Sequence, residues 1–141
     1  MKDKFERRKY KRSKKKALLG ITCSLTLFMG AVPALAAWSG IVTVAIPPWG
    51  QTVDVMGIGV VKTTSTSSFS VYGVRETNTL DPHAMLINSE HQSRSNWCPV
   101  RQNEYTSAYS SAMVNYYSYS RAGSNALEPN RTNIQYQFNP Y

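Results

Sequence analysis

Apolar and polar residues alternate with a period of two in the C-terminal part of this sequence. Ile134, Tyr136 and Phe138 are apolar, and each residue between them is Gln. This is the period of a β-strand with one buried and one wet face. A helix needs apolar residues every three or four positions over ten or more residues, and no segment free of Gly, Pro or Ser clusters has them. The sequence therefore predicts an all-β fold.

Seven short segments carry a strand pattern, and Gly, Pro or polar residues separate them. They are residues 39–46, 53–63, 68–74, 84–87, 101–106, 112–121 and 133–141. Within the second segment, Gly57 and Gly59 indicate a bulge or a close backbone approach. Turn signals about every ten residues favour a small antiparallel β-sandwich of about seven strands, with a barrel as the alternative.

The basic residues are concentrated at the start of the chain. Residues 1–16 hold ten of the 16 Lys and Arg and two of the eight Asp and Glu, so they account for the whole formal charge of +8. The rest has six basic and six acidic residues and is neutral. Nucleic-acid binding needs a basic face on the folded domain. The sequence therefore predicts no nucleic-acid partner.

An apolar stretch at residues 17–32 follows the basic run and leads to the small-residue triplet Ala34-Leu35-Ala36. This order is that of a secretory signal peptide. The stretch is diluted by Gly, Thr and Ser and is shorter than the about 20 apolar residues of a spanning helix. We expect cleavage after Ala36 and a secreted domain at 37–141, with membrane contact only through the signal segment before cleavage. The alternative is an uncleaved anchor with the basic run held inside.

The expected mature chain of 105 residues has room for one domain and one core. Cys98 is its only cysteine, so an internal disulfide is impossible and the fold must rest on packing. The expected core, with neighbours such as Ile41 and Val42 divided between faces, is Ile41, Val42, Val44, Val53, Val55, Ile58, Val60, Phe69, Val71, Leu86, Val114, Ile134, Tyr136 and Phe138.

Cys98 is the candidate nucleophile, and His83 or His91 would be its base in a small Cys-dependent hydrolase. Its neighbours Trp97 and Pro99 are bulky and mainly apolar. They favour a buried, structural cysteine, and burial raises a thiol pKa. We expect no catalytic residue, and hence no enzyme, with the hydrolase kept as an alternative.

Two histidines and two acids, Asp81, His83, Glu90 and His91, fall within eleven positions. Their spacing in the sequence matches none of the ligand motifs of zinc sites. We expect neither a metal nor a cofactor.

Tyrosine is the most suggestive residue type, because eight of the nine tyrosines follow residue 36. Rings exposed on a sheet beside Asn, Gln and Arg can stack on sugars or form a protein-binding patch. The alternative is that they cover the edges of the core. Tyr116 and Tyr117 are adjacent, so in a strand one of them would face outward. The candidate binding residues are Tyr109, Tyr117, Tyr119, Trp49 and Arg121.

The chain has a signal-like segment before a neutral β domain. This domain is rich in Ser, Asn and Tyr and ends in an aromatic strand at 133–141. In this order the chain resembles small exported proteins of Gram-positive bacteria, of uncharacterised function. The chain is more loosely similar to bacteriocins of the lactococcin 972 type, which share the cleaved signal, the absence of disulfides and the aromatic last strand. The expected mature chain is longer than in that type, and neither resemblance carries over a functional residue.

We therefore expect a secreted, monomeric, non-enzymatic binding module whose partner is a protein or a glycan of the cell envelope. A bacteriocin-like antibacterial protein is the first alternative, and the hydrolase is the second.

Overall fold

The computed structural model describes residues 37–77 and 80–141, and the expected signal peptide at 1–36 lies outside this part. The described residues form strands β1 (Val42–Ile46), β2 (Thr52–Val61), β3 (Ser68–Thr77), β4 (His83–Ile87), β5 (Cys98–Pro99), β6 (Tyr105–Tyr109), β7 (Tyr117–Gly123) and β8 (Thr132–Asn139). They contain no helix, and thus none long and apolar enough to cross a membrane. The predicted all-β fold is confirmed.

The strands form two four-stranded sheets with only antiparallel pairs. The first sheet has the order β1-β8-β3-β6 and the second has the order β2-β7-β4-β5. Along one edge, a bridge between Ser95 and Ser110 and a hydrogen bond of 3.0 Å from Asn96 N to Tyr109 O connect the segment before β5 to β6. This architecture agrees with the predicted sandwich.

The core lies between the two sheets, and its two inner faces are complementary in size. The inward residues of β7 are small and include Ser118 and Ser120, while β8 contributes the fully buried Tyr136. The Tyr136 hydroxyl lies 2.8 Å from Ser120 Oγ, so its polar atom has a partner, as a buried hydroxyl requires. Burial raises the pKa of Tyr136 well above its ordinary value. This bond fastens one sheet to the other.

Most of the expected core is buried: Val42, Val60, Phe69, Val71, Leu86, Ile134, Tyr136 and Phe138. Val44, Val55 and Ile58 pack against it while partly exposed, and Val53 is half-buried. The prediction that Ile41 and Val114 belong to the core is wrong, because their side chains are 53% and 37% exposed. Ile41 precedes β1 and Val114 lies in the turn before β7.

The predicted strand at 112–121 begins only at Tyr117. A turn precedes it, in which Asn115 has a φ of +67°. Tyr116 belongs to this turn, so the alternation expected for a strand does not apply to it. Tyr116 and Tyr117 are therefore both exposed, at 62% and 61%.

Glycine accounts for both irregularities in the strand pairing. In β2, residues 56–59 stand opposite the single residue Tyr119, which confirms the bulge predicted from Gly57 and Gly59. In β3, the register against β8 shifts just after Gly73, where the turn at 101–104 packs onto the strand. Asn103 N donates to Gly73 O over 2.7 Å. The predicted strand at 101–106 consequently begins at Tyr105.

Candidate binding groove

Strand β7 presents a row of large side chains on the outer face of the second sheet. Ser118, Ser120 and Ala122 are buried toward the core, and successive residues of a strand point to opposite faces. Tyr117, Tyr119 and Arg121 therefore point outward, as three of the five predicted binding residues.

The rings of Tyr117 and Tyr119 are stacked, with centroids 6.4 Å apart and planes 25° from parallel. They lie over Gly59 of the β2 bulge. A Cβ on Gly59 would meet Tyr119 Cε1 at 2.8 Å and Tyr117 Cδ1 at 3.2 Å. The glycine that forms the bulge thus also leaves room for the two rings.

These two rings belong to a groove with a volume of about 380 Å³, within the size range of small-ligand sites. Its lining combines aromatic and apolar side chains with amide, hydroxyl and charged groups: Asn88, Ser89, Glu90, Arg94, Ala112, Met113, Tyr116, Tyr117, Ser118 and Tyr119. Glu90 is the one carboxylate of this lining and Arg94 is the one guanidinium, so the formal charges of the lining cancel.

The loop at 88–92 forms one wall of the groove and has an internally bonded shape. Asn88 Oδ1 accepts hydrogen bonds from Glu90 N (3.1 Å) and Gln92 N (2.8 Å). Arg94 Nη2 donates to Gln92 Oε1 over 3.0 Å. Asparagine commonly bonds the backbone two residues ahead in this way to shape a turn. The wall is therefore preformed.

An ion-pair cluster of Asp54, His91 and Arg121 fastens this wall to the sheet. The Arg121 guanidinium binds both carboxylate oxygens of Asp54, with Nη2 to Oδ2 at 2.9 Å. His91 Nδ1 donates to Asp54 Oδ2 over 2.6 Å, and Arg121 Nη2 donates to His91 O over 3.0 Å. Hydrogen bonding by Arg121 is the main reason that the pKa of Asp54 falls to about 2, and the same pair raises the pKa of Arg121.

Arg121 is thus engaged within the protein and lies outside the groove lining. It donates instead to His91 O in the loop at 88–92, which forms one wall of the groove.

The other two predicted binding residues lie elsewhere. Trp49 is 62% exposed in the turn before β2. This turn lies beyond the C-terminal end of β7, whereas Tyr117 is the first residue of β7. Tyr109 is 59% exposed on β6, in the first sheet. The structure therefore brings together Tyr117 and Tyr119, and it places Arg121 beside them.

Cys98 is fully buried, as its neighbours predicted. Its thiol donates to Thr106 Oγ1 over 3.1 Å, and desolvation raises its pKa. Cys98 pairs with Ala84 on the inner face, whereas His83 contacts the ring of Trp97 with centroids 4.4 Å apart. His83 and Cys98 consequently point to opposite faces of the same sheet.

The two histidines do not converge. His91 binds Asp54, and His83 lies against Trp97. Across residues 37–77 and 80–141, no three or more His, Cys, Asp or Glu side chains are grouped so that they could hold a metal ion.

Sequence reasoning missed the groove residues outside β7. Met113 and Tyr116 were assigned to a strand, and Glu90 and Arg94 lie between the predicted strands 84–87 and 101–106, where the pattern assigns no element. The one usable signal was Asn88-Ser89 directly after the apolar segment 84–87, which marks a tight turn that sends the loop back along its own strand.

Comparisons with models of protein families, with curated proteins and with solved structures found no match to this chain.

Proposed function

We propose that this chain is an exported, non-enzymatic binding module that acts at or outside the cell envelope and holds an envelope glycan in the tyrosine groove. The observation that carries the proposal is the stacked Tyr117–Tyr119 pair on strand β7, in which Tyr117 is exposed and Tyr119 is half-buried, between polar walls.

The chemistry of the groove fits a sugar. The face of a pyranose ring carries C–H bonds, which pack against the electron-rich faces of aromatic rings. Its hydroxyls need hydrogen-bonding groups at the rim, and the groove provides Glu90, Arg94 and Ser89. Because a strand rather than a loop supports the rings and Gly59 seats them, the aromatic floor is preorganised, which lowers the entropic cost of binding.

Export rests on the sequence of residues 1–36 and on the neutral charge of the remainder. A neutral domain with a polar, tyrosine-lined groove suits recognition of an uncharged or mixed-charge polymer outside the cell. In contrast, it offers no basic face for nucleic acid.

Co-sedimentation with Gram-positive cell-wall sacculi tests the proposal. The Tyr117→Ala/Tyr119→Ala double variant removes the floor while leaving the inward residues of β7 unchanged. Its bound fraction should fall at least several-fold. Tyr105→Ala, which removes a 70%-exposed ring on the first sheet, is the matched control and should bind normally.

Stripping the sacculi of protein separates the two partner classes. Retained binding to stripped sacculi supports a glycan, whereas binding only to unstripped envelopes would point to a protein partner. Sedimentation of the double variant at the wild-type level would contradict the groove as the binding site.

A further inference from the structure

A second cleft opens at the C-terminal end of β7, and we call it the Trp97 cleft. Its volume is about 310 Å³, within the size range of small-ligand sites. None of its residues lines the tyrosine groove. Its lining consists of Asp81, His83, Trp97, Pro99, Arg101 and Asn125.

The Trp97 cleft lies on the same outer face of the second sheet as the groove. Gly123 comes two positions after Arg121 in the outward row of β7, since alternate residues of a strand share a face. His83 and Trp97 lie over this glycine, because a Cβ on Gly123 would meet His83 Nε2 at 2.6 Å and Trp97 Cη2 at 3.2 Å. Gly123 therefore makes room for an aromatic floor, as Gly59 does for the two tyrosine rings.

The indole of Trp97 is held in place by its neighbours. The imidazole of His83 contacts it edge-on, with ring centroids 4.4 Å apart. Val100 N donates to Pro82 O over 2.8 Å, which ties the chain after Pro99 to the chain before β4. Trp97 remains 40% exposed, so part of its indole is open to a ligand.

The charged groups of the cleft suit a ligand with hydroxyl groups. Asp81 is exposed, and its carboxylate forms no hydrogen bond or ion pair with any residue in 37–77 and 80–141. Arg101 has only a distant partner in Glu104, at 3.8 Å, and both side chains are more than half exposed. A hydroxyl both donates and accepts hydrogen bonds, so it can use a carboxylate and a guanidinium together. Asp81 would repel a simple anion, and Arg101 would repel a simple cation.

The cleft also offers ring surfaces, from Trp97 and Pro99, against which the C–H face of a pyranose can pack. It thus repeats the chemistry of the tyrosine groove on the same face. Tyr119 and Gly123 are four residues apart, so at about 3.4 Å per residue the two floors are about 14 Å apart along β7. A glycan chain of several sugar units can reach both.

We propose that the Trp97 cleft is a second sugar subsite and that one uncharged glycan chain occupies the groove and the cleft together. This inference rests on the proposed function, because it takes the groove as the first subsite. Once one part of the glycan is bound, binding of the other part is intramolecular, which raises the overall affinity. The protein would therefore prefer long glycans to short ones.

The dependence of affinity on glycan length tests the inference in the full chain. The probes are the dimer and the hexamer of N-acetylglucosamine, which carry no charge and so are not attracted electrostatically by residues 1–16. In isothermal titration calorimetry, the wild type should bind the hexamer at least about 10-fold more tightly than the dimer. Trp97→Ala should lose most of this preference. Equal affinity of the wild type for the two oligomers, or binding of neither, would overturn the inference.

Asp81→Ala guards against a folding effect of the tryptophan change. It alters an exposed side chain without a described partner, and it should lower the affinity for the hexamer at least several-fold. Tyr105→Ala, on the first sheet, should bind the hexamer as the wild type does. Wild-type affinity for the hexamer in both Trp97→Ala and Asp81→Ala would overturn the inference.

NMR separates the cleft from the groove. The dimer should shift the Trp97 indole N–H signal even in the Tyr117→Ala/Tyr119→Ala variant, because the two sites share no residue. An unmoved Trp97 signal, with sacculus binding lost in that variant, would overturn this inference and leave the proposed function standing. A shifted signal with wild-type sedimentation of the variant would reject the groove, and with it the shared chain. A signal that moves with the zwitterion glycylglycine and not with the dimer would overturn the assignment of the cleft to a sugar.

Discussion

Among the described glycines, Gly73 leaves the least room for a Cβ. A Cβ there would lie 2.1 Å from Arg101 O and 2.5 Å from Arg101 C, both backbone atoms. Backbone that is hydrogen-bonded on both sides cannot move away cheaply. Since Gly73 is buried, the space for a methyl group does not exist.

We therefore expect Gly73→Ala to lower the free energy of unfolding by about 2–4 kcal/mol, as overpacking with a backbone shift does. Urea unfolding would measure it. The matched control is Gly57→Ala, because a Cβ at Gly57 has nothing within 4 Å. Equal stabilities of the two variants would contradict the contact.

Cys98 gives a second prediction at this scale. Its thiol is buried and its pKa is raised, so little reactive thiolate forms near neutral pH. Iodoacetamide should label the native protein roughly 100-fold more slowly than the urea-unfolded protein. Cys98→Ala should keep any binding activity and cost about 1 kcal/mol of stability. Rapid native labelling would instead favour the hydrolase alternative.

The glycines show which residue roles a sequence can reveal. Gly57 and Gly59 interrupt an apolar strand, and this local signal predicted the bulge. Gly73 lies in a segment that alternates normally, and its constraint comes from Arg101, 28 positions later. A contact of that kind depends on the fold and leaves no trace in the local pattern.

Between strands, the cluster of Asp54, His91 and Arg121 is a contact that acid weakens. The pKa of Asp54 falls from 3.8 to about 2 on folding. The pairing therefore stabilises the native state fully above about pH 4, and the stabilisation is lost as the pH falls toward 2. Because the side chains of Asp54 and Arg121 are about one-fifth exposed, screening limits the contribution of this pair to about 1–2 kcal/mol.

Melting temperatures measured from pH 6 to pH 2 would check this. Asp54→Asn should lower stability at pH 6 and should flatten the decline between pH 4 and pH 2. Asp81→Asn changes an exposed aspartate outside the cluster and should leave the wild-type profile intact. An Asp54→Asn profile parallel to wild type would exclude the cluster as the acid-sensitive contact.

The elements also explain why only part of the groove was predictable. Tyr117 and Tyr119 share a face by the period of the strand, which sequence shows directly. The wall formed by Glu90 and Arg94 depends on where the nine-residue polar loop at 88–96 folds, and His91 holds that loop by bonding to Asp54, 37 positions earlier. Polar loops carry no period, so their partners could not be inferred.

For the molecule as a whole, the charged segment and the folded domain occupy different parts of the sequence. All of the net charge lies in residues 1–16, while the two sheets and their core are built from a neutral remainder. Such a division suits a chain whose basic segment is used in export and then removed. The folded domain would then act without a strong field of its own, so that its binding depends on ring stacking and hydrogen bonds more than on salt.

Removal of the basic segment can be measured directly. Mass spectrometry of the culture medium should give an N-terminus at Ala37 or within a residue or two. Isoelectric focusing should place the secreted form near neutrality, because six basic and six acidic residues remain, whereas the full chain has a pI of about 9.7. Recovery of only the full-length, basic form in the membrane fraction would establish the anchor instead. The domain would then act on the envelope while tethered to the cell that made it.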